Sequence, residues 1–210
     1  MVNRMVQKLC YNCCMKDVIG TIAVVLTFVG YVPYIRDTIK GKTTPHIYTW
    51  FVWAFVTAIA FALQLSASPG PGAWTTLAAA VVCFIIFGLG FKHGKRNIDK
   101  TDTVFLILSL VALLLWLVAK QPAASVILLS LVDMLGFIPT IRKSWHKPYE
   151  ETLISYWTNT FRFCLALIAL SHYTLVTSLY PATWVAANGL FSIYLMIGRG
   201  KLPAPAGWQG

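Results

Sequence analysis

Long apolar runs separated by short polar breaks dominate this chain. Residues 107–118 are typical, since they carry hydrophobic side chains with a single serine and do not alternate between apolar and polar positions. Such runs indicate membrane-spanning helices, because a strand of an outer-membrane barrel alternates over about ten residues. We therefore predict seven helices, at residues 18–35, 46–65, 73–91, 103–119, 123–141, 152–171 and 181–197.

One short motif occurs twice. The segment 30–36, GYVPYIR, returns 106 positions later as 136–142, GFIPTIR, with four of seven positions identical. Each copy ends an apolar run, precedes a basic loop and is followed by two further apolar runs. A period of this kind predicts internal duplication. The predicted fold is an all-α membrane protein in which two parallel three-helix repeats are joined by one linker helix, an arrangement of 3+1+3.

The duplication divides the chain into parts. They are a polar N-terminal tail (1–16), a first three-helix bundle (17–91), a basic loop with the linker helix (92–121), a second three-helix bundle (122–198) and a C-terminal tail (199–210). A further echo, PGAW at 71–74 and PATW at 181–184, puts a proline at the start of the last helix of each repeat. Proline suits the first turn of a helix, so the seventh helix is expected to begin at Pro181.

Composition supports a membrane protein. Hydrophobic residues make up 58% of the chain and charged residues 11%, with a mean hydropathy of +0.69. A soluble domain carries about 25% charged residues, so too few charges remain to cover a water-facing surface. The net charge of +10 would suggest nucleic acid in a soluble protein. Here the basic residues lie in loops, which is typical of topology signals and lipid headgroup contact, and we predict no nucleic-acid partner.

The distribution of basic residues predicts the orientation. Twelve of the 17 Lys and Arg residues lie in the loops after helices one, three and five and in the C-terminal tail. Four lie on the other side, and Arg162 lies inside a helix. The positive-inside rule places the C-terminus in the cytoplasm and the N-terminus outside, and we expect the plasma or inner membrane.

The five cysteines predict no cofactor site. Cys83 and Cys164 lie in apolar runs and are expected to be small core residues. Cys10, Cys13 and Cys14 could bind a metal or form a disulfide, but no second ligand pair lies nearby. We predict neither a metal nor a cofactor.

Two charged residues fall inside predicted helices. A charge near the bilayer centre costs about 2.5–3.5 kcal/mol on the insertion scale. Asp133 and Arg162 are therefore expected to have a structural or functional role that offsets this cost. Because helices five and six run antiparallel, both charges are expected at the same depth, about 14 Å from the cytoplasmic end, and an ion pair is predicted. It is either a latch between these helices or part of a water-filled pocket. Repeat symmetry puts Thr27 and Val56 at the matching positions of the first unit.

Amides and aromatic residues extend this candidate site. Asn188 lies near the middle of the seventh helix and is expected to face the bundle interior, where it bonds a neighbouring helix or contacts a ligand. Asn159 precedes Arg162 by three positions and shares its face. Trp157 points to a different face from Asn159, so at most one of them is central to a pocket. The other tryptophans mostly lie near helix ends, as an interfacial belt would.

The repeated GYVPYIR and GFIPTIR segments, with PATWVAANG at 181–189, resemble the SWEET and PQ-loop transporters, also called MtN3-like. Tyr34 and Thr140 stand where that family has the glutamine of its PQ pair, so this chain resembles a divergent member. The resemblance implies a 3+1+3 fold with its N-terminus outside and alternating access to a central pocket. Under it Pro33, Pro45 and Pro139 look like hinge prolines, and Asn188 looks like a pocket asparagine.

We therefore expect a transporter of a small polar solute, either sugar-like or a small anionic metabolite. Asn188, Asp133, Arg162, Asn159 and Trp157 are its candidate substrate-binding residues. The alternative is a membrane receptor or sorting protein on the same scaffold that binds ligand without transport. The expected partners are a small molecule and the lipid bilayer, with a second copy of the chain left open. No enzyme is predicted, since no set of His, Asp and Cys has a catalytic or metal-ligand spacing.

Overall fold

The computed structural model describes residues 2–40, 45, 47–93, 100–146, 148–150 and 153–201. Every regular element in these ranges is helical, which confirms the all-α prediction and the number of helices. Seven α-helices and two short 3₁₀ turns follow one another along the described chain: α1 (Val2–Ile39), α2 (Ile47–Ser66), a turn at Pro71–Ala73, α3 (Trp74–His93), α4 (Lys100–Leu117), α5 (Pro122–His146), a turn at Pro148–Glu150, α6 (Leu153–Ile168) and α7 (Leu175–Lys201).

The first helix is much longer than predicted. Residues 1–16 were expected to form a tail, but α1 is helical from Val2 onward. No glycine or proline occurs before Gly20, so nothing in the sequence interrupts the helix there. Pro33 lies inside the same helix. The residues from 202 onward, most of the expected C-terminal tail, lie outside the described part.

The seventh helix begins six residues before the expected Pro181, because threonines cap an earlier start. The Thr177 amide donates to Thr174 Oγ1 at 3.2 Å, and the Thr174 amide donates to Thr177 Oγ1 at 2.9 Å. This reciprocal pair is a capping box. Pro181 therefore lies inside α7, where it has no amide hydrogen to give to the carbonyl of Thr177. Gln64 of α2 donates to that carbonyl instead, at 3.0 Å.

We call α1, α2 and α3 the first group of helices, and α5, α6 and α7 the second group. In the first group α3 packs against both α1 and α2, and in the second α7 packs against both α5 and α6. Helix α4 packs against α5 and α2. Between the groups, α1 packs against α6 and α2 packs against α5. The largest buried apolar cluster lies at this second contact, with Val56 and Leu63 of α2 against Val126 and Leu129 of α5.

The loops at one end of the molecule join the groups tightly. The amide of Ser171 donates to the carbonyl of Pro69 at 2.8 Å, and the amide of Gly72 donates to that of Ala169 at 3.3 Å. Gly70 has a φ of 73°, which favours glycine. A Cβ on Gly72 would meet the carbonyl oxygen of Ala166. We call this contact between residues 69–72 and 166–171 the loop junction.

A lysine within α1 reinforces the loop junction. The ammonium group of Lys16 donates to the carbonyl of Leu170 at 2.7 Å and lies 5.9 Å from the ring centre of Tyr173. Leu170 lies two residues after the last residue of α6, in a region where carbonyls lack helical partners and a cation is favourable. Lys16 therefore ties the first group to the second.

Much of the outer surface is apolar. Two segments in the described part are long and apolar enough to cross a membrane, judged by length and composition: Cys14–Arg36 and Pro71–Lys92. Val25, Phe28, Val29 and Val32 are exposed at a helical spacing on α1. Helix α1 thus presents a continuous apolar stripe to its surroundings.

Candidate functional site

Asp133 lies in the interior, where it is 2% exposed. Its Oδ2 accepts a hydrogen bond from the hydroxyl of Tyr180 at 2.8 Å and one from Nε1 of Trp184 at 3.3 Å. Both donors come from α7, one turn apart, so they share a face. The Tyr180 hydroxyl also lies 3.3 Å from that of Thr57 on α2. A short polar chain therefore crosses from α5 through α7 to α2.

Arg162 occupies the other crossing between the groups and is 3% exposed. Its Nε donates to Asn159 Oδ1 at 2.8 Å within α6, and its Nη1 donates to Thr27 Oγ1 of α1 at 3.0 Å. The guanidinium carbon lies 4.3 Å from the ring centre of Phe163 and 5.7 Å from that of Tyr31. All four neighbours are uncharged, and the rings are placed for cation–π attraction.

The predicted ion pair between Asp133 and Arg162 is not formed, and each charge is hydrogen-bonded to neutral groups instead. The prediction was wrong because it placed two consecutive antiparallel helices side by side. In the structure α7 packs against both α5 and α6, while α6 also packs against α1. The carboxylate therefore bonds to α7 and the guanidinium to α1.

Two stacked aromatic rings connect the charged residues. Phe163 and Trp184 have ring centres 6.3 Å apart and planes inclined by 11°. Phe163 lies against the guanidinium group of Arg162, and Trp184 donates to Asp133. The stacked pair thus links the guanidinium group, which lies against Phe163, to the carboxyl group, which is bonded at the edge of Trp184.

Asn188 lies inside the protein, as expected, and is 1% exposed. Its Nδ2 donates to the carbonyl of Trp184 at 2.8 Å, so this bond stays within α7 rather than reaching a neighbouring helix. The next residue, Gly189, would place a Cβ 3.5 Å from Thr160 of α6, an ordinary contact. Asn188 therefore lies one turn from Trp184 and supports the same stretch of α7.

The two remaining candidates on α6 lie in different environments. Asn159 joins the cluster through its bond to Arg162. Trp157 is 40% exposed and lies five positions before Arg162, which turns it about 140° around the helix. The structure thus buries Asp133, Arg162 and Asn188, half-buries Asn159, and leaves Trp157 on an outer face.

The three hinge candidates occupy different settings. Pro33 lies inside α1 and is exposed. Pro139 lies within the residue range of α5. Pro45 is buried in the connection between α1 and α2.

Several residues of the site were not predicted from the sequence. Trp184 was assigned to an interfacial belt, but it bonds to Asp133 in the interior. Tyr180 was not considered, although its spacing of four from Trp184 puts both on one helical face. Thr27 was named only as the repeat equivalent of Asp133, and it is the residue that accepts a bond from Arg162. The duplication was the signal that could have found it.

The described residues contain no group of three or more His, Cys, Asp or Glu side chains that could hold a metal ion. Cys14 is exposed, Cys83 is buried and Cys164 is half-buried, and each is a free thiol. The side chains of Cys10 and Cys13 lie outside the described part. The chemistry within the described site is therefore hydrogen bonding, charge and aromatic contact.

Comparisons with protein-family models, curated proteins and solved structures give no match to this chain.

Proposed function

We propose that this protein spans a membrane and carries a small polar solute by alternating access between two three-helix halves, residues 17–91 and 122–198. The observation that carries the proposal is the interior polar site built at the crossings of these halves. Asp133 and Thr57 belong to the crossing of α5 with α2, and Arg162 and Thr27 to that of α6 with α1. A solute held there touches both halves.

The exposed apolar surface supports the membrane assignment. A core helix of a soluble protein buries its apolar face, whereas only 17% of the apolar window in Cys14–Arg36 is buried. An exposed apolar stripe of this length is costly in water and favourable in lipid. With the basic loops in the cytoplasm, the N-terminus lies outside a plasma or inner membrane.

The packing supports two equivalent halves. Exchanging α1, α2 and α3 with α5, α6 and α7 turns each contact among these six helices into another that also occurs. The contact of α1 with α6 becomes that of α5 with α2, and the contact of α3 with α6 becomes that of α7 with α2. In this proposal α4 is the linker, and the halves rock about the polar site while keeping their internal packing.

The cost of the buried charges supports a functional site. Burying a charge is unfavourable unless it is paired, and neither Asp133 nor Arg162 has an opposite charge bonded to it. Apolar side chains would hold these helices together at a lower cost in free energy. Intramembrane ionisable residues of this kind mark solute or ion paths.

The loop junction supplies a closed end in this proposal. Its backbone bonds and glycine contacts join the halves on the side where Lys16 lies, which is the outer side in the proposed orientation. The solute would then exchange with the cytoplasm in this state, and opening outward would separate residues 69–72 from 166–171.

A thermal-shift screen followed by uptake tests the proposal. The purified protein is melted with sugars, amino acids, organic acids and vitamins, because a bound ligand stabilises the folded state. The stabilising compound, radiolabelled, is then offered to sealed liposomes with and without the protein. We expect protein-dependent uptake. Binding without uptake would contradict a carrier and favour the receptor on the same scaffold.

A further inference from the structure

We infer that Arg162 is the solute-binding cation of this site, and that the solute carries a carboxylate or phosphate group. The inference rests on the proposed function, because it names the class of solute that the carrier takes. It goes beyond that function because it identifies Arg162 as the residue that makes the carrier prefer a negatively charged solute.

The surroundings of Arg162 leave its charge unmatched. Its hydrogen-bond acceptors are the Asn159 amide oxygen and the Thr27 hydroxyl, and its flanking rings belong to Phe163 and Tyr31. Arginine keeps its proton in proteins, so the guanidinium group remains a cation. Asp133 is bonded to donors of its own on α7. Among the residues that the structure describes, no carboxylate bonds directly to this cation, and an anionic solute would supply one.

The guanidinium group also has donors left over. Of its nitrogens, Nε and Nη1 donate to the protein, and no hydrogen bond joins Nη2 to any residue that the structure describes. Nη1 itself carries two hydrogens. The two terminal nitrogens of a guanidinium group form a planar fork that binds carboxylate or phosphate oxygens two at a time. Nη2 and the second Nη1 hydrogen therefore suit one such group.

The neighbours hold this fork in place. Thr27 Oγ1 donates its own hydrogen to the carbonyl of Ala23 at 2.9 Å, which turns its lone pairs towards Arg162. Asn159 fixes Nε from the preceding turn of α6, and Phe163 covers one face of the group. If the only role of this residue were to hold α6 against α1, a neutral side chain that donates to Thr27 would be enough. A fixed positive charge is needed only to bind a ligand of opposite charge.

The test compares wild-type protein with Arg162→Met, which keeps a long side chain and removes the charge. Each is melted alone and with phosphate, succinate or citrate at equal ionic strength, and with succinamide as the uncharged match of succinate. We expect at least one anion to raise the wild-type melting temperature by about 2 °C or more and to leave the variant unchanged. Succinamide should shift neither.

Anion shifts of equal size in both proteins, or no anion shift in wild type, would overturn the inference. Should Arg162→Met fail to fold, Arg162→Gln serves as the second neutral variant. If an uncharged sugar stabilises both proteins and is taken up into liposomes while the anions do nothing, the anion site is wrong and the carrier stands.

Discussion

The Nε2 atom of Gln64 donates to the carbonyl oxygen of Thr177 at 3.0 Å, across the contact between α2 and α7. That carbonyl is free because Pro181, four residues later, has no amide hydrogen. A proline inside α7 thus frees an acceptor to which a side chain of α2 donates. Both partners are buried, so the bond is made without competition from water.

We predict that Gln64→Leu destabilises the protein by about 1–3 kcal/mol, because a buried carbonyl loses its donor. In a Pro181→Ala background the new amide of residue 181 bonds to Thr177, so the same change should cost less. Unfolding free energies of the four proteins form a double-mutant cycle. Equal costs of Gln64→Leu in both backgrounds would contradict the proline-freed carbonyl.

A second prediction concerns the loop junction. Gly72→Ala should destabilise the protein by about 1–3 kcal/mol, because the added methyl group meets the carbonyl oxygen of Ala166. Gly88→Ala is the matched control, since nothing lies within 4 Å of the added Cβ there. Melting temperatures in detergent give the comparison, and we expect Gly88→Ala to be neutral or stabilising. A Gly72→Ala protein as stable as the control would mean that the junction is loose.

A third prediction concerns the polar chain at Asp133. Tyr180→Phe removes the 2.8 Å bond to the carboxylate and should cost about 1–3 kcal/mol, because a buried anion loses one of its two donors. In an Asp133→Leu background the same change should cost much less. Tyr194→Phe, in the same helix, is the control and should be close to neutral. Denaturant unfolding measures all of them, and a Tyr180→Phe cost that survives Asp133→Leu would argue against this bond.

A fourth prediction concerns orientation. Cys14 is exposed at the start of the apolar segment Cys14–Arg36 of α1, whereas Cys83 is buried. In a Cys10→Ser, Cys13→Ser protein, a membrane-impermeant maleimide added to intact cells should label Cys14, and Cys14→Ser should abolish the labelling. Labelling that requires permeabilised cells would place the N-terminus in the cytoplasm and reverse the proposed topology.

The number and order of the helices could be predicted from the apolar runs alone, because each run is long enough to be one helix. Which helices pack against each other could not be predicted, because the order of helices along the chain does not determine their contacts. Asp133 and Arg162 lie on consecutive helices, yet α7 packs against both helices and each charge faces a different partner.

The start of α7 had a local signal that was overlooked. Proline favours the first turn of a helix and is costly in the interior, so a start at Pro181 was the simpler interpretation unless an earlier cap was recognised. Thr174 and Thr177 have the spacing of a capping box, with a hydroxyl in place of the usual carboxylate or amide. Buried partners such as Thr27 could be identified only once the packing of α1 on α6 was known. No local pattern in the sequence predicts that packing.

Counterflow in sealed liposomes tests the carrier most directly. Liposomes holding the protein are loaded with an excess of the unlabelled stabilising solute and diluted into a trace of the radiolabelled form. We predict transient accumulation of label inside, because the site exchanges solute between the two sides. A flat trace from protein that still binds the solute would contradict alternating access through this site.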